Sequence, residues 1–430
     1  MNWINDLIEQ HNELESPVSF YMWAGLATIS AIVKDNVCIN RYIHKLYPNI
    51  YVMLHADSGL KKGPSISAAK QMVSAINNTR IISGRSSIQA ILKEMGTAQT
   101  VPGGKIVGND STAFICSSEL SSSIVEDPVA TKILTDLYDR QYNIGQWRSL
   151  LKMETFTLKN PTITMLTATN DAMSEDFFNR SVIQGGYIAR TFIIHEAKRN
   201  RLNSLLVPLR NPPNYKKSSE YLIELAKLKG EFKPLGSRER TNDFKQPRTN
   251  SATNEIEYYT ETGAIYQDWY EKFYREIDEF GIKDNTGTLN RFGDSVLKVA
   301  MLLSLSREPK LEIDPESMSE AIDVCQKLVG STRKTTQAMS GLSNTAALKS
   351  KIIAELFSRD NHQITRTMLT KKLWLDYGSP DELDDLMQSF DSSGMIITRS
   401  IGNNIVYEMP GNQVEELRRF YSGKFRKNKE

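Results

Sequence analysis

Five short apolar runs punctuate the first half of the chain: NIYVML at 49–54, RIIS at 80–83, AFICS at 113–117, TITMLTA at 162–168 and RTFIIH at 190–195. Several are nearly continuous in β-branched or large apolar residues, the pattern of strands buried on both faces. The segments SISAAKQMVSAI at 65–76 and SSIQAILKEM at 86–95 lie between them with helical spacing. Alternating strand and helix predicts an α/β domain with a mostly parallel, five-stranded sheet over about 45–196. Ahead of it, residues 1–34 read as helical, with Trp3, Ile4, Leu7 and Ile8 as an apolar stripe.

Beyond the last run the pattern weakens. Residues 197–254 are polar, contain Asn211-Pro212-Pro213, and read as a mobile insertion or long loop. A helical block is expected over 255–340, with Phe292, Val296, Val299, Ala300 and Leu303 forming one stripe. SGLSNT at 340–345 reads as a linker. In 346–410, helical patterns at 346–358, 365–374 and 380–391 precede two β-rich runs around Ile401-Gly402-Asn403-Asn404. Three helices and a hairpin make a winged-helix layout. The expected organisation is therefore a helical segment at 1–44, a core at 45–254 with its insertion at 197–254, a helical block at 255–340, a winged-helix domain at 346–410, and a basic tail at 411–430.

Composition narrows the class. The 430 residues hold 53 Lys plus Arg and 51 Asp plus Glu, a formal charge of +2, so the chain is no histone-like polycation. No run of about 18 apolar residues is present, so no membrane helix is expected. The start, MNWINDLIEQHNELES, has no basic region followed by an apolar core, and a cytoplasmic protein is expected. Cys38, Cys116 and Cys325 form no close pair, which argues against a disulfide framework or a zinc site.

The chemistry gathers where the runs end. After the first comes His55-Ala56-Asp57-Ser58-Gly59-Leu60-Lys61-Lys62-Gly63-Pro64-Ser65 and then a helix. A strand, a glycine-bearing loop with lysine and a helix N-terminus make an anion cradle, in which backbone N–H groups and the lysine face phosphates. The pattern G-x-x-x-x-G-K-[ST] is only partly met. Ser58, Gly59, Lys61, Lys62, Gly63 and Ser65 are the candidate nucleotide contacts, and Ser65 or Ser67 would supply the magnesium-binding oxygen, or water would fill its place. An ordinary basic strand-to-helix turn is the bland alternative. Glu119, after the third run, stands where water activation is needed, or is a solvated or capping carboxylate. Asn170, after the fourth, would touch the γ-phosphate or orient the attacking water, unless it serves only the turn. Arg190 opens the fifth run after Gly185-Gly186, and with Arg180 is a candidate finger acting in trans.

YPNIYVMLHADSGLKKG, ICSSELSSSI, NPTITMLTATND and GGYIARTFIIHE, within a match from about Trp23 to Arg333, resemble the P-loop helicase-type ATPases of phages, prophages and plasmids. The order of parts is similar to minichromosome-maintenance-like AAA+ helicases: Walker A, Walker B, sensor 1, arginine finger, helical lid, winged helix. The resemblance implies an AAA+ core binding ATP and Mg2+, in a hexameric ring moving on single- or double-stranded DNA during replication in a bacterial host, with other replication proteins as partners. It makes Lys62 the Walker lysine, Glu119 the Walker B glutamate, Asn170 sensor 1 and Arg190 the finger. Arg291, in TLNRFGDSVLKVAMLL, falls at sensor 2; the alternative is a solvated helix residue. Gly63-Pro64 replaces the lysine-hydroxyl pattern and Ser118 the Walker B aspartate. Both are magnesium positions, which puts fast hydrolysis in doubt.

For DNA, the same comparison points to a hairpin before sensor 1, with Arg148 and Lys152 on phosphates and Trp147 stacked on a base. Trp147 in the core is the alternative. Lys105, in Val101-Pro102-Gly103-Gly104-Lys105, would face the same channel. In the winged helix the third helix is acidic, through Asp381, Glu382, Asp384 and Asp385. Phosphate contacts then fall to Arg366, Lys371, Lys372 and Arg399, and protein docking is the competing role. Arg418, Arg419, Lys424, Arg426, Lys427 and Lys429 make the tail basic. Two functions compete: a DNA-translocating ATPase, and a helicase loader or replication adaptor that binds nucleotide with little turnover. A winged-helix regulator with an ATPase relic is a third.

Overall fold

A computed structural model describes residues 2–76, 79–84, 86–97, 99–100, 106–108, 111–118, 127–140, 146–151, 154–169, 186–250, 253–280, 287–339, 344–373, 380–402, 404–415 and 418. Residues 1–273 with 284–328 form one compact unit, and 274–283 with 329–430 a second. The helical block expected over 255–340 is divided between them: 255–273 and 284–328 fall in the first unit, 274–283 and 329–340 in the second.

The first unit is built on five parallel strands: β1 (Tyr51–His55), β2 (Ile81–Ile82), β3 (Thr112–Ser117), β4 (Thr162–Thr169) and β5 (Thr191–His195). Their order across the sheet is β5-β1-β4-β3-β2. β1 and β4 are buried along their whole length, as expected for a sheet covered on both faces. Side-chain alternation identifies the covers. Tyr51 Oη donates to Leu134 O (2.9 Å) in α5 (Pro128–Asp139). Residues of the opposite parity face α2 (Val18–Val33): Phe192 packs on Trp23, and Thr164 bonds Ser30. The α2 sequence is apolar almost all round and is correspondingly buried, so this helix belongs to the core of the unit. α3 (Lys62–Ser74) lies beside α2, and α4 (Ile88–Gly96) packs on the hairpin of strands 146–151 and 154–159.

Of residues 197–254, expected to be a mobile insertion or long loop, the stretch 200–211 is a loop tied down by polar contacts. Asn200 and Asn203 donate to the carbonyls of Asn12 and Glu13, and the N–H groups of Arg210 and Asn211 donate to the Glu13 carboxylate. α6 (Tyr215–Leu225) is capped by Asn214 and receives the Trp3 indole N–H at Ser218 O (2.9 Å) from α1 (Trp3–His11). Low hydrophobicity hid this strap because its fixings are polar. α7 (Glu261–Phe280), α8 (Phe292–Arg307) and α9 (Pro315–Met339) follow, and α8 packs on α2.

The second unit contains α10 (Asn344–Phe357), β6 (Gln363–Thr365), α11 (Arg366–Leu373), α12 (Pro380–Ser392), β7 (Ile397–Ile401) and β8 (Asn404–Glu408). The three strands are antiparallel in the order β6-β8-β7 around Ile352, Leu356, Leu369, Leu383 and Phe390. Strand β6 went unread because it is only three residues long. Among the described residues no helix is long and apolar enough to cross a membrane.

The entry to α7 sets a steric test. A Cβ on Gly263 would lie 2.0 Å from the Leu235 carbonyl oxygen, which already accepts the Thr260 N–H (3.0 Å). Gly263→Ala is expected to cost roughly 1–3 kcal/mol or more in urea unfolding, whereas Gly411→Ala, with nothing within 4 Å, stays within about 0.5 kcal/mol.

Candidate functional site

β1 runs into a loop whose backbone is specialised. Gly59 has φ +91°, and Lys61 has φ 53° and ψ 44°, a left-handed residue immediately before Lys62 opens α3. A side chain in that conformation costs about 1–2 kcal/mol. In G-x-x-x-x-G-K-[ST] the residue before the lysine is glycine, the residue type that adopts such a conformation without steric cost. The loop is tied from outside by Ser16 Oγ, which donates to Lys61 O (2.7 Å). Lys62 Nζ folds over the loop and donates to Ala56 O (2.6 Å) and Asp57 O (3.0 Å). Pro64 is tolerated in the first turn, where its missing N–H has no helical acceptor. A Cβ at Gly63 would meet nothing within 4 Å among the described residues.

Ser65 departs from its expected role. It is fully buried, and its hydroxyl donates to Lys62 O (2.9 Å) within the helix. Three residues beyond the lysine, it braces the turn rather than facing the loop. With Gly63 in the hydroxyl's usual place, the described donors do not fit a directly ligated magnesium ion. Among the described residues no cluster of three His, Cys, Asp or Glu side chains has metal-binding geometry.

Register levels the strand ends beside this loop. His55 pairs with Thr169 and with His195, and Ser117 with Thr167. Glu119 and Asn170 follow β3 and β4 by sequence, but lie outside the described residues, as do Lys105, Lys152 and Arg180. One feature was missed: His55 Nδ1 and His195 Nδ1 are 2.7 Å apart. Each closes an apolar run, but nothing in the sequence says that the first and last strands are neighbours. Burial first, then His195 and Lys62, push the His55 pKa down to about 4, with Asp57 opposing.

The arginines sit elsewhere. Arg190 lies just before β5, at the amino end of the strands, while Lys62 follows the carboxyl end of β1. Parallel strands of five residues put roughly 13 Å or more between those edges, so one chain cannot bring the two together. Arg190 is 5% exposed and occupied: Nε (2.8 Å) and Nη2 donate to the Asp139 carboxylate, and Nη1 to Gly186 O (2.7 Å). A finger role would require a buried ion pair to break, a step that typically costs several kcal/mol. Arg291 is on the same edge and half-buried; its backbone N–H donates to Thr288 O (3.2 Å), and its guanidinium has no hydrogen-bond or ion-pair partner among the described residues.

The DNA contacts divide similarly. Arg148 is exposed, but Trp147 is 9% exposed, so its ring is in the interior and cannot stack on a base as placed. Lys371 is 3.3 Å from Glu276, Lys372 is 2.8 Å from Glu355, and Arg399 is 2.9 Å from Glu408. Arg366 makes a two-pronged pair with Asp384 of the acidic helix (2.7 and 2.6 Å). A phosphate would have to displace these carboxylates. No protein-family model matches the chain, and no curated protein matches it.

The His55 shift fixes a pH dependence. The unfolded chain takes up this proton near pH 6.5 and the folded chain only near 4. The stability contributed by neutral His55 is therefore present above 6.5 and is lost as pH falls through that window. His55→Gln should flatten the slope of unfolding free energy between pH 6.5 and 4. An unchanged slope would mean that the imidazole does not resist protonation.

Proposed function

We propose that the chain is a P-loop nucleoside-triphosphatase with AAA+-type layout, acting as a ring-forming DNA translocase in replication of a mobile element. The observation that carries this is the left-handed Lys61 leading into Lys62 at the start of α3, at the carboxyl end of β1. Strands β1 and β2 are consecutive in the chain but separated by two others in the sheet. Crevices at the carboxyl ends of such sheets are where ligands bind. In this reading the β/γ-phosphates take the place of the Ala56 and Asp57 carbonyls on Lys62, and α3 directs its first-turn N–H groups at them. Glu119 polarises water and Asn170 orients it. The separation of the lysine and arginine edges supports a shared site, with Arg291 of a second copy, rather than the occupied Arg190, neutralising transition-state charge. The second unit supports a winged-helix reading, and its paired cations favour protein docking over a DNA groove.

A second reading has its own support. With Gly63 at the hydroxyl position and Ser65 buried, the site suits a nucleotide-binding loader or adaptor with little turnover.

Steady-state ATP hydrolysis with and without single-stranded DNA separates the two. The translocase reading expects DNA-stimulated turnover that falls at least about 100-fold in Lys62→Ala and Glu119→Gln. Lys61→Val should lose more activity than Lys61→Gly, because a β-branched residue cannot hold the left-handed turn. Tight ATP binding without turnover on any DNA would replace the motor with the adaptor.

A further inference from the structure

At the amino edge of the sheet, away from the lysine loop, lies a cavity of about 530 Å³ lined by Tyr47, Asn49, Tyr138, Arg140, Arg291 and Lys298 among others. Its size is that of a small-molecule site, which typically spans roughly 300–1,000 Å³. Lys298 reaches it from α8 and is 3% exposed. Its ammonium donates to Asn49 O (2.9 Å) and Oδ1 (2.8 Å) and sits 3.9 Å from the centre of the Tyr138 ring. Asn49 is itself fixed by donating to Tyr138 O (3.1 Å).

The charges around the cavity do not cancel. Arg140 is matched by Asp35, Arg41 by Asp294, Arg190 by Asp139 and Lys45 by Glu231. Lys298 and Arg291 have no carboxylate within ion-pair distance among the described residues. A buried amine without a counter-ion is costly. Burial accordingly pushes the Lys298 pKa down to about 7; Asp294 and Asp139 work against that, and Arg140 and Arg190 add to it.

We infer that this cavity is a phosphate subsite, in which Arg291 and Lys298 together bind the dianionic phosphate group of a small ligand. Arg291 supplies the planar fork and Lys298 a point charge held in place by Asn49 and Tyr138. Two unmatched cations suit a dianion better than a single carboxylate. The phosphate has two possible sources: a free phosphorylated compound, or a nucleotide held on the lysine loop of a second copy, which rests on the function proposed above. Above pH 7 the arriving anion draws a proton onto Lys298, so binding is coupled to proton uptake.

The test is calorimetric titration of the full chain with inorganic pyrophosphate and with ATP, at pH 8 in two buffers of different ionisation enthalpy. The chains compared are wild type, Lys62→Ala, Arg291→Gln and Lys298→Met. Pyrophosphate bound by Lys62→Ala, weakened about tenfold or more by Arg291→Gln and accompanied by proton uptake, supports the subsite with a free compound as source. ATP binding that needs Lys62 and is weakened by Arg291→Gln, without pyrophosphate binding, supports the subsite with the nucleotide as source. Affinity for both probes unchanged in Arg291→Gln, or no binding of either probe to any chain, overturns the inference. Arg291 is half-buried and its guanidinium is unpaired among the described residues, so its variant keeps the test decisive if Lys298→Met does not fold. Full ATP affinity in Lys62→Ala combined with its loss in Arg291→Gln would sink the lysine-loop reading and leave the subsite standing.

Discussion

Five strands running in one direction force this chain's chemistry onto two opposite edges. Every strand's carboxyl end, with the loop that follows it, lies on one side of the sheet; every amino end lies on the other. The left-handed Lys61, Lys62 and the His55–His195 pair therefore share one edge. Arg190, Arg291, Asn49 and Lys298 share the other. No rotamer change crosses that gap, since the strands between are buried and rigid. Under the proposed function, such a separation calls for one site completed by another copy, and head-to-tail contact between identical chains can close a ring.

The amino edge is held by polar groups rather than apolar ones. Asn49 donates to Tyr138 O at the end of α5 and accepts from Lys298 of α8 with both of its oxygens. Arg190 binds the Asp139 carboxylate one residue further on. These contacts join two helices to the head of β1 in a low-dielectric setting, where satisfied polar groups fix one arrangement and unmatched charge is expensive. The same edge is therefore rigid and electrostatically incomplete, a combination suited to receiving an anion.

Much of the sheet was legible because its strands are short apolar runs bounded by polar turns. NIYVML became β1, AFICS β3, TITMLTA β4 and RTFIIH β5, each within a residue or two. Strand order was not legible: it depends on which helices cross which face, and two strands lie between β1 and β2. The lysine loop was readable by position but not by conformation, because Lys61 adopts a geometry usually reserved for glycine. Trp147 has an apolar body and a polar edge, and the sequence alone does not say whether such a residue faces solvent or core. The anchoring of the loop at 200–211 was not legible, because polar contacts to Asn12 and Glu13 leave no hydrophobic signature. Lys298 went unnoticed because it interrupts an apolar helix stripe as any solvated lysine would, and only the fold turns it inward.

In the proposed function, catalysis needs the lysine edge of one copy and the arginine edge of another. The most direct measurement mixes two inactive chains, Lys62→Ala and Arg291→Ala, in equal amounts after subunit exchange, and follows ATP turnover. A shared site predicts recovered activity, because some junctions pair an intact lysine loop with an intact arginine edge. Turnover equal to the sum of the separate variants, with subunit exchange established independently, would contradict the account.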